Sequence, residues 1–230
     1  MTTTPRLVEV RAKVLKENDR LARALRAEFQ NAGVCVTSWV SSPGSGKTTL
    51  LEKILCQLGT TSRVAALVGD LATQNDATRL ARVASRVKQI TTGTICHLDA
   101  RMVQEALAGW PLNELDFLFI ENVGNLVCPS SYDLGEGLRF VLLSTTEGED
   151  KPLKYPTIFN TADVAVITKM DLAEAAEFDL IAARHNIQSV RPGMRVFEVS
   201  AKTGQGMAEM AQFLQAQLSA TRCNSQLPSR

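Results

Sequence analysis

Gly44, Ser45, Gly46, Lys47, Thr48 and Thr49 stand together in the stretch SSPGSGKTT. The short β-rich run Val34 to Val40 precedes them, and a helical recurrence at Leu50, Leu51, Ile54 and Leu58 follows. At a strand-to-helix junction of this kind, backbone N–H groups and the helix dipole can receive phosphate oxygens. Lys47 would reach the terminal phosphates, and Thr48 would offer its hydroxyl to the magnesium ion that bridges them. The pattern G-x-x-x-x-G-K-S/T is broken once, by Ser41 in the first glycine position. A loop of serines and glycines can also simply join two elements, but lysine and threonine at this junction fit the phosphate template. Two carboxylates support that reading. Asp70 follows the run Val64 to Val68, and Glu121 follows Phe117 to Ile120. In an open parallel sheet ligands bind beyond the carboxyl ends of the strands, so both side chains can face one magnesium. Glu121 opens E-N-V-G, where Gly124 can offer its N–H to a γ-phosphate and move when that phosphate leaves. Asp76 is open to two roles, positioning water or capping a helix.

A second constellation specifies the base. Val164 to Ile167 runs into Thr168-Lys169-Met170-Asp171, an N-K-x-D-like motif with threonine first. A carboxylate at Asp171 can accept two hydrogen bonds from the N–H groups on the Watson–Crick edge of guanine, whereas adenine presents an acceptor there and leaves the charge unpaired. Lys169 would lay its stem over the base, and Ser200-Ala201-Lys202 after Val196 to Val199 would complete the pocket. Alone, T-K-M-D could be a helix start capped by Asp171; its order behind the phosphate elements favours GTP. A third constellation is Cys96-His97 with Cys128, seven residues beyond Glu121. Single cysteines and histidines are commonly core or satisfied residues. Together, thiolate and imidazole suit zinc or nickel, and three ligands from one chain leave a position that a second subunit can fill.

Elements that could hold these residues follow from the pattern. Leu7, Val10, Val14, Leu21, Leu25 and Phe29 recur at helical spacing between a start at Thr4-Pro5 and a stop at Gly33, which predicts a leading amphipathic helix over 1–33. Apolar runs stand at Val64 to Val68, Phe117 to Ile120, Leu138 to Leu143, Val164 to Ile167 and Val196 to Val199, several of them unbroken by polar residues, and such runs suit strands buried on both faces. Helical patterns separate most of them, around Ala77 to Val87, Arg101 to Leu107, Leu172 to Arg184 and Met207 to Leu218. The alternation predicts an α/β domain over 34–220, a mostly parallel sheet flanked by helices, with a polar tail over 221–230.

Composition sets the bounds. A chain of 230 residues fits one ordinary α/β domain. With 25 basic against 24 acidic residues and 5% aromatics, no phosphate-tracking or base-stacking surface for nucleic acid is expected. The N-terminal MTTTPRLVEVRAKVLKENDR lacks an apolar signal core, and no run is long enough to span a bilayer, so no membrane association and a cytoplasmic location are expected. Five cysteines in such a compartment point to thiols or ligands rather than disulfides. Cys35 and Cys56 are expected in the core, Cys223 in the tail, and His185 on the surface near a helix end.

SSPGSGKTTLLEK, GDLATQNDATR, CHLDA, ENVGNLVCPSSYDLGE and ITKMDL resemble the HypB family, GTPases that help insert nickel into nickel-iron hydrogenases. The likeness runs from the phosphate loop to the C-terminal helix. It implies a three-layer P-loop NTPase of the SIMIBI-like kind and a slow, regulatory GTPase using GTP/GDP, Mg2+ and Ni2+ and/or Zn2+. Lys47, Thr48, Asp70 and Glu121 would serve phosphate and magnesium. Thr168, Lys169, Asp171, Ser200, Ala201 and Lys202 would hold guanine, and Cys96, His97 and Cys128 would hold the transition metal. The implied partners are a second copy of the chain, drawn together by GTP, a small zinc-containing nickel chaperone and the hydrogenase large-subunit precursor. Nucleotide state is expected to set metal affinity. The chain has neither a cysteine-rich N-terminus nor a histidine-rich tract, so nickel storage in quantity is not expected. A related urease accessory GTPase would carry Cys-Pro-His where this chain has Cys128-Pro129-Ser130. A P-loop small-molecule kinase would leave T-K-M-D and S-A-K without purpose, and a nickel store would make the GTP site vestigial.

Overall fold

Strands that are apolar at every position have no face to give to water, so each must be covered on both sides. The computed structural model describes residues 4–71 and 75–225, with side chains from Ala12 onward. Its elements run α1 (Thr4–Ala32), β1 (Cys35–Val40), α2 (Lys47–Leu58), β2 (Val64–Asp70), α3 (Asn75–Leu80), β3 (Arg86–Thr91), α4 (Ala100–Ala106), β4 (Phe117–Glu121) and β5 (Leu138–Ser144). They continue as α5 (Lys151–Lys154), α6 (Pro156–Thr161), β6 (Val164–Thr168), α7 (Leu180–Val190), β7 (Arg195–Glu198) and α8 (Met207–Ser225). The seven strands form one sheet in the order β3-β2-β4-β1-β5-β6-β7, and every pairing is parallel.

The period-2 pleat divides the core. Trp39, Val64, Ala66, Val68, Phe117, Phe119, Phe140, Leu142, Val164 and Val166 face α2 and α8. On the opposite face, Val36, Ala65, Leu67, Leu118 and Ile120 pack under α1 and α4, while Val141, Leu143, Ala165 and Ile167 pack under α6 and α7. Trp39 stacks flat on Phe140 at 4.1 Å and 6°, and its indole N–H donates to Thr37 Oγ1 at 2.9 Å. These contacts fix β1, whose carboxyl end carries the phosphate loop.

Three expectations change. The helical pattern over Ala77 to Val87 is only partly helix: α3 ends at Leu80, turns follow, and Arg86–Thr91 is an edge strand. It pairs on one side only, with β2, so it lacks the continuous apolar run that marked the inner strands. The stretch from Leu172 begins with a 3-10 turn over Met170–Leu172, and α7 itself starts at Leu180, capped by the Asp179 carboxylate on Ala182 N at 2.9 Å. Cys56 is exposed on α2 rather than in the core, because Ile54, Leu55 and Leu58 occupy its buried face. Cys35 is buried, and desolvation pushes its thiol up to about 11. Cys223 lies on α8, which continues to Ser225. The helix stop expected at Gly33 is present, with a left-handed φ of +68°; the side chains of Leu7 and Val10, and residues 226–230, lie outside the described residues. No helix among the described residues is long and apolar enough to cross a membrane.

Ile54 is fully buried under the sheet. Ile54→Ala should cost about 2–5 kcal/mol of stability, read as a lower urea midpoint with an unchanged slope.

Candidate functional site

The loop between β1 and α2 reaches its shape with Gly44 at φ +75° and Gly46 at φ +89°, conformations that glycine adopts without strain. Ser41 is not among the positive-φ residues, so a side chain in the first glycine position carries no backbone strain there. The loop lines a cleft of about 520 Å³ together with Lys47, Thr48, Thr49, Asp76, Arg79, Gly124 and Lys169. β4 ends at Glu121, buried behind the lining residues Lys47 and Thr48. Since Phe117, Phe119 and Glu121 alternate toward α2, the carboxylate meets the helix start: Thr48 Oγ1 donates to Glu121 Oε1 at 2.6 Å, and Lys47 Nζ lies 3.2 Å from the same oxygen. Glu121 Oε2 is buried with no hydrogen-bond partner among the described residues. An orphaned carboxylate oxygen beside a hydroxyl suits a hard cation bound through oxygen and water, the chemistry of magnesium. Asp70 ends β2, two residues beyond the pairing of Val68 with Glu121, so it projects from the same face; its Oδ1 accepts from Leu71 N at 2.6 Å.

Asp76 lines the cleft from within the first turn of α3. Arg79, one turn on, was not singled out from the sequence. It reaches back to α2, donating to Thr49 Oγ1 at 3.0 Å and Glu52 Oε2 at 2.7 Å, and brings a guanidinium to the phosphate cleft. Gly124 abuts the phosphate loop so closely that a Cβ there would sit 3.1 Å from Pro43 Cα.

A second cavity of about 250 Å³ shares Ser45, Gly46, Thr49 and Lys169 with the first and extends to Thr168, Asp171, Leu172, Val199, Ala201 and Lys202. Thr168 Oγ1 donates to Ser45 O at 2.7 Å and Lys169 Nζ to Gly44 O at 2.7 Å, so the two loops form one wall. Lys169 sits at φ 58°, a strained posture for a side-chain-bearing residue of the kind found at binding sites. Ser200 lies behind the cavity and fixes the acid, its Oγ donating to Asp171 Oδ1 at 2.6 Å; Lys202 Nζ stands 3.9 Å from Asp171 Oδ2. A carboxylate held by one oxygen and turned to an apolar slot can accept a pair of N–H groups from a flat base.

Cys96, His97 and Cys128 come together although 32 positions separate the two cysteines. Their candidate ligand atoms lie within 4.8 Å of one another, and the two cysteines, not joined as a disulfide, are in hydrogen-bond contact, Cys96 Sγ donating to Cys128 Sγ at 2.9 Å. His97 Nδ1 is buried without a hydrogen-bond partner among the described residues. Desolvation lowers the imidazole pKa against the opposing pull of Asp99, which favours the neutral form that binds metal. Thiols and a neutral imidazole fit nickel or zinc. Two asparagines, which residue type alone did not single out, join this cluster to the cleft. Asn122 Oδ1 accepts from Leu98 N at 3.1 Å and Val123 N at 2.9 Å. Asn125 Nδ2 donates to Cys96 O at 3.2 Å, while its Oδ1 accepts from Val127 N at 2.8 Å. Elsewhere, His185 is exposed in mid-helix, away from any such cluster among the described residues.

The chain matches the family model "CobW/HypB/UreG, nucleotide-binding domain" over residues 35–198. It is 44% identical over 212 residues to the hydrogenase maturation factor HypB of Escherichia coli K12, covering 92% of this chain and 73% of that protein. Its structure is similar to the crystal structure of HypB from Helicobacter pylori in complex with nickel, with TM-score 0.83, 40% identity and coverage of 93% of this chain and 99% of that one. It is also similar to HypB from Archaeoglobus fulgidus, with TM-score 0.82, 38% identity and coverage of 88% and 99%.

The Asp171 geometry predicts that Asp171→Asn lowers GDP affinity about 100-fold, since a hydrogen bond to a charged group is worth about 1.5–3 kcal/mol. Xanthosine diphosphate should bind the variant better than it binds the parent, because its C2 carbonyl can accept from the new amide. Fluorescence titration with both nucleotides checks this, and unchanged GDP affinity would remove the base from this slot.

Proposed function

Because this chain belongs to the HypB group of the CobW/HypB/UreG family, we propose that it is a hydrogenase maturation factor in which GTP governs the grip on nickel. GTP is the substrate of a slow, regulatory hydrolysis and nickel is the cargo. Lys47 and Arg79 face the phosphates, Asp171 reads guanine, and Asp76 and Gly124 stand where the γ-phosphate would end. Thr48, Asp70 and Glu121 would hold magnesium, whose chemistry is to neutralise charge developing on the β- and γ-oxygens. Cys96, His97 and Cys128 hold nickel, and zinc competes for the same donors.

One observation carries this reading: a single eight-residue segment touches both sites. Glu121 bonds Thr48 and Lys47, Asn122 bonds Leu98 N, Gly124 abuts Pro43, Asn125 bonds Cys96 O, and Cys128 closes on Cys96. A γ-phosphate that draws Gly124 toward the loop would move both cysteines through these bonds. Shifting such a two-state site from mostly one posture to mostly the other takes ~5.5 kcal/mol of differential affinity, a scale that a charged phosphate with its cation can approach. In the cell the likeness supports a homodimer formed with GTP, delivery from a small zinc-containing nickel chaperone, and transfer to the hydrogenase large-subunit precursor.

The urease-type reading is less well supported. Its metal motif needs a histidine where Ser130 stands, and Ser130 Oγ is turned to its own backbone, donating to Val127 O at 2.7 Å.

Nickel and zinc titrations with GDP and with a non-hydrolysable GTP analogue test the coupling, alongside Cys96→Ala. Wild-type affinity should differ between the two nucleotides by tenfold or more, within the range of about 5–150-fold for coupled sites. Asn122→Ala should bring the two values together while nucleotide binding persists. Cys96→Ala should lose the metal. Equal wild-type affinities in both states would end the coupling, and a Cys96→Ala chain that binds as its parent does would end the site assignment.

A further inference from the structure

An imidazole ligand serves a metal only when its ring nitrogen points at the other donors. A histidine on a loop samples several rotamers, and ordering it on binding weakens the complex. His97 lies in the turn and bend segment before α4, and no hydrogen bond to Nδ1 orients its ring among the described residues. A carboxylate or carbonyl that accepts from the ring's other nitrogen is the usual device for fixing such a ring. Here an aromatic face occupies that place: the Tyr132 and His97 rings stack with centroids 3.9 Å apart and planes 25° from parallel.

The backbone beneath Tyr132 is held from three elements. Tyr132 O accepts from Arg139 NH2 at 2.7 Å. Arg139 Nε donates to Glu136 Oε1 at 2.9 Å, and the same oxygen accepts from Ser38 Oγ of β1 at 2.8 Å. Glu136 and Arg139 are both buried. The next residue, Asp133, receives Asn18 Nδ2 on its carbonyl at 2.9 Å and Arg26 NH2 on its carboxylate at 2.6 Å, both from α1. Asn18 also accepts from Ala100 N at 2.9 Å, at the start of α4. The aromatic ring therefore stands on chain fixed to α1, β1 and β5.

We propose that Tyr132 is a positioning residue that pre-orients the His97 imidazole toward the two cysteine sulfurs, which rests on the reading that Cys96, His97 and Cys128 hold the metal. Stacking engages the face of the imidazole and leaves its nitrogens in the ring plane free to ligate. The phenol hydroxyl has no part in this, so the aromatic ring alone carries the effect.

Zinc alone is the probe, titrated against a chromophoric chelator into the full chain with GDP bound. Tyr132→Leu and Tyr132→Met keep apolar bulk without an aromatic face, and each should weaken zinc about tenfold, the lower end of the effect of losing a ligand's support. Tyr132→Phe should bind as wild type does. In a His97→Ala background, Tyr132→Leu should cause no further loss, because the tyrosine acts only through the histidine. Proton NMR adds a readout independent of binding: the His97 ring protons should be shifted upfield in wild type and Tyr132→Phe, and not in the Leu or Met variants. An equal loss on top of His97→Ala would make the role merely structural and overturn the proposal, as would wild-type zinc affinity in a folded Leu or Met variant. If His97→Ala alone binds zinc as its parent does, the ligand reading fails, and the positioning role falls with it.

Discussion

The pleat of β4 turns neighbouring residues to opposite faces of the sheet, and the site is built on where that strand stops. Glu121, in step with Phe117 and Phe119, faces α2 and bonds the first residues of that helix. Asn122, in step with Leu118 and Ile120, faces the side of α1 and α4, where its Oδ1 holds Leu98 N. The strand continues just far enough for Asn122 N to donate to Trp39 O at 3.0 Å. Glu121 meets the start of α2 and Asn122 holds the segment that carries Cys96 and His97, so one peptide bond joins the residues that reach the two sites. Any shift of the Glu121 backbone must be shared by Asn122, because a planar peptide leaves little slack between adjacent residues.

On the Asn122 side that linkage is held by buried hydrogen bonds. Asn122 is buried, and its side-chain oxygen receives two backbone N–H groups. Leaving such donors unmet in the interior costs about 1–3 kcal/mol each, so the segment has few postures in which all are satisfied. The Ser38, Glu136 and Arg139 cluster does the same for the loop after Cys128. Satisfied buried networks select discrete arrangements rather than a continuum. A switch between two nucleotide states needs that property, since a soft tether would pass little from one site to the other.

Contiguous motifs made much of this legible in the amino-acid order. The phosphate loop and T-K-M-D each lie at the end of an inner strand, β1 read from its β-rich composition and β6 from an apolar run. β3 escaped because an edge strand is half exposed, and Val87 and Ile90 at its centre repeat at a spacing that a helix would also show. Cys56 was misplaced because a helix buries only a stripe, and its neighbours Ile54 and Leu55 fill that stripe. Asn122, Asn125, Arg79 and Tyr132 were not singled out for a different reason. Their roles depend on partners from 24 to 35 positions away, and asparagine, arginine and tyrosine serve so many ends that type and spacing carry no signal until the strands are paired.

The thiol cluster also explains itself by what it does not close. A structural zinc site takes four protein donors, whereas a site that must exchange its ion keeps a position open. Cys96, His97 and Cys128 supply three, and both cysteines are only half buried. Ile95 and Val127, each next to a cysteine in sequence, are 41% and 61% exposed. An arrangement with full coordination inside one chain would hold nickel more tightly and release it more slowly. Three donors among the described residues, one of them on the segment that also carries Glu121, suit delivery better than storage.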